Sequence, residues 1–221
     1  MSPKDPSPGK PILTEALARF FEFLERYTFF SWVRKTFHWE GSPRFVEGWV
    51  VSWLAFSIVS FPLSFLQWPS VVCWLVGSAS AYRVYEIVVY AANTVLFRSV
   101  RGPTRPLRSR ERYAVLILIN YAEIILWFAT YYSLLRPHIF AAGMFPQELM
   151  HDAWFAAFVI LRESVVMMVA NTTGAFAPHS TGALVLVTVQ MVIGIFMTLV
   201  VVARLINLLP IPGAKADGTG R

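Results

Sequence analysis

Apolar positions along this chain gather into blocks long enough to cross a bilayer, which takes about 20 mostly apolar residues for about 30 Å of hydrocarbon. Four blocks qualify: roughly Phe45 to Trp68, Val71 to Phe97, Tyr113 to Leu135, and about Gly182 to Ala203. The second contains Arg83 and Glu86, and the third contains Glu123. A fifth block, Ala153 to Ala170, is interrupted at its centre by Arg162-Glu163 and is not counted as a span. Ahead of the first block the pattern changes to a helical period. Leu13, Leu17, Phe20 and Leu24 share one face, and Glu15, Arg19, Glu22 and Arg26 share the other. That pattern predicts an amphipathic helix lying in the cytoplasmic interface, ended by Gly41-Ser42-Pro43.

Composition agrees with the blocks. Apolar residues make up 56% and charged residues only 14%, and the mean hydropathy is +0.55. Soluble domains carry about 25% charged residues, so a soluble enzyme, a nucleic-acid binder and a disordered tail are excluded together. The net charge of +6 is explained by topology rather than by an acidic partner. Arg98, Arg101, Arg105, Arg108, Arg110 and Arg112 crowd the short loop between the second and third blocks, against Glu111 alone. Such a loop is held on the cytoplasmic side. With four spans both termini are then cytoplasmic, which suits Lys35, Arg44, Arg204 and Lys215. Met1 to Ile12 is Pro-rich and charged and carries no cleavable signal peptide. The single cysteine, Cys73, allows no intrachain disulfide.

Charges inside spans cost several kcal/mol unless paired or hydrated, so they are the first functional candidates. Arg83 and Glu86 share a helical face at i, i+3, and Glu86 and Glu123 lie at similar depth, roughly 17 Å from the cytoplasmic ends of their helices. We expect Arg83 to bridge Glu86 and Glu123, either as a packing clamp or as part of an ion or proton relay. Between the third and fourth spans, Arg136-Pro137 leads into a loop with Glu148, His151 and Asp152. The fifth apolar block follows, then Asn171-Thr172-Thr173-Gly174 and Ala175-Phe176-Ala177-Pro178-His179. A helix, a short polar piece and a Pro-terminated return predict a re-entrant loop, whose non-helical backbone is tolerated only when buried in protein or lining water. His138, His151 and His179 lack metal-ligand spacing and read as solvated on the external face; if His179 lines the mouth, it would confer external pH sensitivity. Gly194, midway along the last block, is a candidate hinge or a close-packing site.

Several segments resemble bacterial four-span members of the potassium-channel, or pore-loop, superfamily. They are Tyr82-Arg83-Val84-Tyr85-Glu86-Ile87-Val88-Val89-Tyr90 with the basic loop after it, Ile119 to Ala129, and Val189 to Leu199 running on to Ala203-Arg204-Leu205-Ile206-Asn207-Leu208-Leu209-Pro210. The resemblance covers about residues 71 to 210. It implies a homotetramer around a central pore built by the third and fourth spans, with Ala170, Asn171, Thr172, Thr173 and Gly174 at the filter. Ser164, Val166, Met168, Gly174 and Pro178 match the family's pore loop, Ser-x-Val-Thr-Met-Thr-Thr-x-Gly-(Tyr/Phe)-Gly-Asp-x-x-Pro. Met167, Val169 and Ala170 stand where it has threonines, Thr172 replaces the first glycine, Thr173 the aromatic residue and Ala175 the aspartate. Inward carbonyls along such a filter need left-handed backbone at alternate residues, which Thr disfavours, so a potassium filter of the usual geometry is not expected.

Three readings of the filter stay open: a wider ring of oxygens from Asn171, Thr172 and Thr173; a pore closed by Met167, Met168 and Phe176; or a plain hydrophilic turn. Arg162 and Glu163 are expected to pair behind it. The sequence thus predicts an all-α membrane protein of the bacterial inner membrane, with four transmembrane helices, a re-entrant pore helix and loop, and an N-terminal interfacial amphipathic helix. Its segments are 1–44 (cytoplasmic, amphipathic), 45–97 (a two-helix hairpin), 98–112 (the basic loop), 113–209 (the pore-type module) and 210–221 (a cytoplasmic tail). The expected function is conduction of small cations with potassium selectivity left open; the competing one is a non-conducting structural or accessory subunit. No enzyme constellation, metal site or cofactor is expected beyond a permeant monovalent cation, and no nucleic acid or soluble substrate; the partners are membrane lipid and further copies of the chain.

Overall fold

The computed structural model describes residues 12–28, 33, 36, 43–66, 68–96, 110–136 and 152–206. Among these the chain is all-helical: α1 (Ile12–Arg26), α2 (Pro43–Leu63), α3 (Ser70–Leu96), α4 (Arg110–Leu134), α5 (Ala153–Ala170) and α6 (Thr181–Ile206). Five of the described helices, α2 to α6, are long and apolar enough to cross a membrane, which marks an integral membrane protein. On length and composition α5 belongs with the others, despite Arg162-Glu163 at its centre, where the sequence pattern predicts four spans. Arg98, Arg101, Arg105, Arg108, His138, Glu148, His151 and the chain beyond Ile206 lie outside the described residues.

Side-chain bonds fix the direction of each helix. The Tyr131 hydroxyl donates to the Gly77 carbonyl at 2.7 Å and Arg83 reaches Glu123 at 2.8 Å, so α3 runs against α4. Arg112 pairs with Glu47 at 2.6 Å and, further along, the rings of Phe56 and Trp127 stand 5.4 Å apart, so α2 runs with α4. At the last turn of α6, Arg204 donates to the Thr94 carbonyl at 2.9 Å and lies over the Tyr113 ring, 4.8 Å from its centroid. The starts of α2 and α4 and the ends of α3 and α6 therefore share one end of the bundle, and it is the basic end.

The central helix is α4. Ile124, Trp127, Ala129 and Tyr132 are wholly buried along it, with α2, α3, α5 and α6 packed around it. Lipid tails are as apolar as leucine, so burial of apolar side chains contributes little to holding such a bundle together. Close backbone approach and interhelical hydrogen bonds carry that task, and α4 supplies most of the polar partners.

Two local expectations are corrected. The first span stops at Leu63 rather than near Trp68: Pro62 stands in its last turn, where it removes a backbone donor, and Ser64 closes the turn through its hydroxyl to the Phe61 carbonyl at 2.6 Å. The amphipathic helix ends at Arg26, and Pro43 opens α2 instead of terminating α1, as its preset φ suits a first helical position. The packed face of α1 also differs from the apolar stripe. Leu17 and Phe20 are exposed while Ala18 is buried, as is Thr28 just beyond the helix, because α3 offers donors: Asn93 to the Phe21 carbonyl at 3.0 Å, Tyr85 to that of Leu24 at 3.1 Å and, past the helix end, Tyr82 to that of Tyr27 at 2.6 Å. This polar docking leaves Leu17 and Phe20 of the stripe facing outward, with Leu24 half-buried. The charged face keeps an exposed Glu15–Arg19 pair at 2.7 Å.

Candidate functional site

The first polar cluster joins α3 and α4 inside the bundle. Arg83 donates through Nε to Glu123 Oε1 at 2.8 Å and through Nη2 to Glu123 Oε2 at 3.0 Å, the fork-to-carboxylate geometry that arginine alone provides. Its Nη1 donates to Glu86 Oε2 at 2.8 Å. All three side chains are buried. Secondary donors complete the cluster: Trp127 Nε1, one turn beyond Glu123, donates to Oε1 at 3.2 Å, and Trp49 Nε1 lies 3.4 Å from Glu86. The Trp53 ring stands beside the guanidinium, 5.7 Å to its centroid. A cavity of about 50 Å³ reaches the cluster between α1, α2, α3 and α4, lined in part by Glu25, Thr28, Glu86 and Asn120. Arg83 and Glu123 form one fully satisfied pair, and Glu86 adds a second carboxylate at the cavity.

The second cluster is α5 and the chain that follows it. Asp152 caps the helix, its Oδ1 accepting from the Trp154 amide at 2.8 Å, so the helix start is set by one side chain. Asn171 closes it in the left-handed region, φ 52° and ψ 41°, which asparagine tolerates better than most residues. Ser164 Oγ donates to the Ile125 carbonyl at 2.8 Å, and the Tyr121 hydroxyl donates to the Met168 carbonyl at 3.1 Å. On the other side, Gln190 Nε2 donates to the Ser164 carbonyl at 3.0 Å, and a Cβ on Gly194 would stand 2.9 Å from the Met168 carbonyl oxygen. Rising numbers on α5 meet falling numbers on α4 and rising numbers on α6. Consecutive helices α5 and α6 therefore run in the same direction.

Parallel neighbours need a return, and residues 171–180 supply it. The end of α5 stands level with Tyr121, about 12 Å along α4 from Tyr113 and the basic end. From there the chain doubles back. The Ala175 amide donates to Glu163 Oε2 at 2.7 Å, and the Phe176 ring packs 4.6 Å from that of Tyr132. Glu163 is wholly buried, and its other oxygen accepts from Arg162 Nη1, so the pair stands behind the return. Gly174 sits against the same carboxylate at φ 53°, where any Cβ would collide with Glu163 Oε2. Asn171, Thr172 and Gly174 are exposed, and Thr173 and Ala177 half-buried.

The residues expected at the filter thus lie together on the turn, with Ala170 exposed as the last residue of α5. Among the described residues only Asn171 and Gly174 take positive φ, so left-handed backbone does not alternate along the segment. Met167, Met168 and Phe176 are buried at 0%, 1% and 3% exposure. They pack into the chain's own core, which removes them as plugs of an axis outside it. Gly194 proves to be a contact point between backbones, with no room for a side chain. His179 is exposed beyond the return, and no group of His, Cys, Asp and Glu among the described residues could hold a metal ion.

Sequence reasoning gave no role to Gln190, Tyr132, Tyr121 or Trp127, which bind α5 and the charge cluster to the bundle. Gln190 is wholly buried; it accepts from the Tyr132 hydroxyl while donating to Ser164. Its signal was available as a polar side chain in the most apolar of the described helices. Trp127 could have been found at one helical turn from Glu123. In comparisons with protein-family models, curated proteins and solved structures, nothing matches this chain.

Proposed function

We propose that the chain is a pore-loop ion channel, assembled as a homotetramer, that conducts small cations across a bacterial inner membrane. In this reading α2, α3, α4 and α6 span the bilayer, α5 enters from the outer face and returns to it, and both termini are cytoplasmic. The observation that carries it is the parallel course of α5 and α6 around an exposed polar turn. Such a turn at membrane depth cannot face hydrocarbon, because its backbone groups would lack partners; it fits a water-lined axis shared by several copies. Asn171, Thr172 and Thr173 then offer carbonyl and hydroxyl oxygens to a partly dehydrated cation. Without alternating left-handed backbone, strict selection of potassium over sodium does not follow. The basic end, bearing Arg44, Arg112 and Arg204, suits the cytoplasmic side.

A non-conducting accessory subunit is the second reading, favoured by one observation. Val185, Val192, Ile195, Leu199 and Val202 form an uncovered stripe on α6, and an axis lined by it would be apolar along its inner half. Single-channel recording in planar bilayers, under potassium and sodium gradients in turn, separates the two. Conduction re-tuned by changes at Asn171 to Gly174 is the expected result. Silence from a folded assembly, with current appearing only after Thr172→Gly and Thr173→Tyr together, would establish the accessory role.

A further inference from the structure

One face of α5 remains uncovered: Trp154, Phe158, Val165 and Val169 stand out as an apolar ridge, the first two 81% and 70% exposed. Arg162 lies in its middle with 60% of its side chain exposed. A guanidinium at mid-helix and an exposed polar turn at Asn171 and Thr172, at the end of the same helix, are both poor neighbours for lipid tails. On a different face, α3, α4 and α6 splay apart into an apolar groove of about 890 Å³, whose walls include Cys73, Gly77 and Val88 on α3, Tyr131 on α4, and Leu186 and Ile193 on α6. We propose that this groove seats the α5 ridge of a neighbouring copy, ridge into groove around a closed ring.

The depths of ridge and groove agree. With α4 as a ruler, Tyr131 is level with Gly77 and Glu123 with Arg83, so Ile125, and Ser164 bonded to it, come level with Ala81 and Tyr82. Helices α3 and α5 run in the same direction, so at about 1.5 Å per residue Trp154 falls within roughly 2 Å of the depth of Cys73, and Phe158 within about 4 Å. Val169 then lies near the depth of Val88, the inner end of the groove, and Arg162 near that of Ser78, an exposed hydroxyl residue on the groove wall. Rotation about the membrane normal changes no depth, so ring neighbours must match in this way. A ridge meeting a different surface on the next copy is a heterologous contact, which closes into a ring when the rotation allows.

The proposal rests on the ring reading above, and Cys73, the only cysteine in the chain, supplies its test. Trp154→Cys and Phe158→Cys are made singly in the full chain, reconstituted in lipid nanodiscs and oxidised with copper–phenanthroline. Mass photometry in parallel counts the copies. Each variant should give a covalent ladder extending past the dimer, because every copy offers one thiol on its ridge and one in its groove, and Cys73→Ser should abolish it. Val169→Cys, about 20 Å deeper than Cys73, should give none. An assembled protein that yields no ladder from either variant, dimers only, or an equal ladder from Val169→Cys would overturn the ridge-in-groove contact while leaving the ring. A monomer by mass photometry would overturn both.

Discussion

Arg83 is the residue on which the interior of the bundle turns. It neutralises Glu123 through a two-point fork and steadies Glu86 through its remaining nitrogen. Removing one member of a buried ion pair costs about 3–5 kcal/mol, because the partner is left charged without compensation. Arg83→Met should therefore destabilise the protein by about that amount, and Arg83→Met with Glu123→Met by clearly less, since the double change removes the fork from both sides. Equilibrium unfolding in detergent, followed by tryptophan fluorescence, reads the difference; equal losses would mean that the fork is not what the arginine contributes. A second residue-scale prediction concerns Gly174. Alanine there meets Glu163 and must hold a left-handed φ, so Gly174→Ala should destabilise or displace the return, whereas Ala177→Gly, in the same segment, should be tolerated to within about 1 kcal/mol. Equal losses of thermal stability in the two would refute the clasp.

Among the elements, the contact of α5 with α6 depends on the absence of a side chain. Gly194 brings its backbone against Met168, and Gln190 adds two bonds to Ser164 a turn earlier. Gly194→Ala should cost more than the helix propensity it gains, which is about 1 kcal/mol in favour of alanine. A hinge role would show the reverse, a more stable protein with altered gating, so thermal unfolding of this one variant distinguishes packing from hinge. The long apolar helices were legible in the sequence because hydropathy over twenty residues is a strong signal, and their observed ends differ by a turn or less except at Leu63. The charge cluster was legible for a similar reason: Arg83, Glu86 and Glu123 are conspicuous in apolar surroundings. The face of α1 that packs was not. It is chosen by three tyrosine and asparagine donors on α3, and a periodicity argument on α1 alone contains nothing about them. The partners of the buried anchors Gln190 and Tyr132 were hidden too, since a hydroxyl or amide that stands out within a span declares no partner until the helices are placed.

At the scale of the molecule, the course of α5 decides what kind of protein this is. Length and hydropathy admit it as a span, yet its contacts run parallel to α6, and two parallel consecutive helices cannot both cross a bilayer with only residues 171–180 between them unless that segment crosses as well. Ten residues extended reach about 33 Å, enough to climb back, but Ala175 is already beside Glu163, so the return stays against the flank of α5. If α5 turns back within the membrane beside α6, Asp152 and Ser180 lie on the same side; an α5 that crossed antiparallel to α6 would put them on opposite sides. In a Cys73→Ser background, Asp152→Cys and Ser180→Cys in sealed, oriented vesicles should both react with a membrane-impermeant thiol reagent from one face, and Glu47→Cys, at the basic end, only from the other. Asn171→Cys should react from the Asp152 face as well, and more slowly, because its water path would be narrow. Labelling of Asp152→Cys and Ser180→Cys from opposite faces would make α5 a fifth span, place the polar turn in a loop, and remove the ground for a pore there.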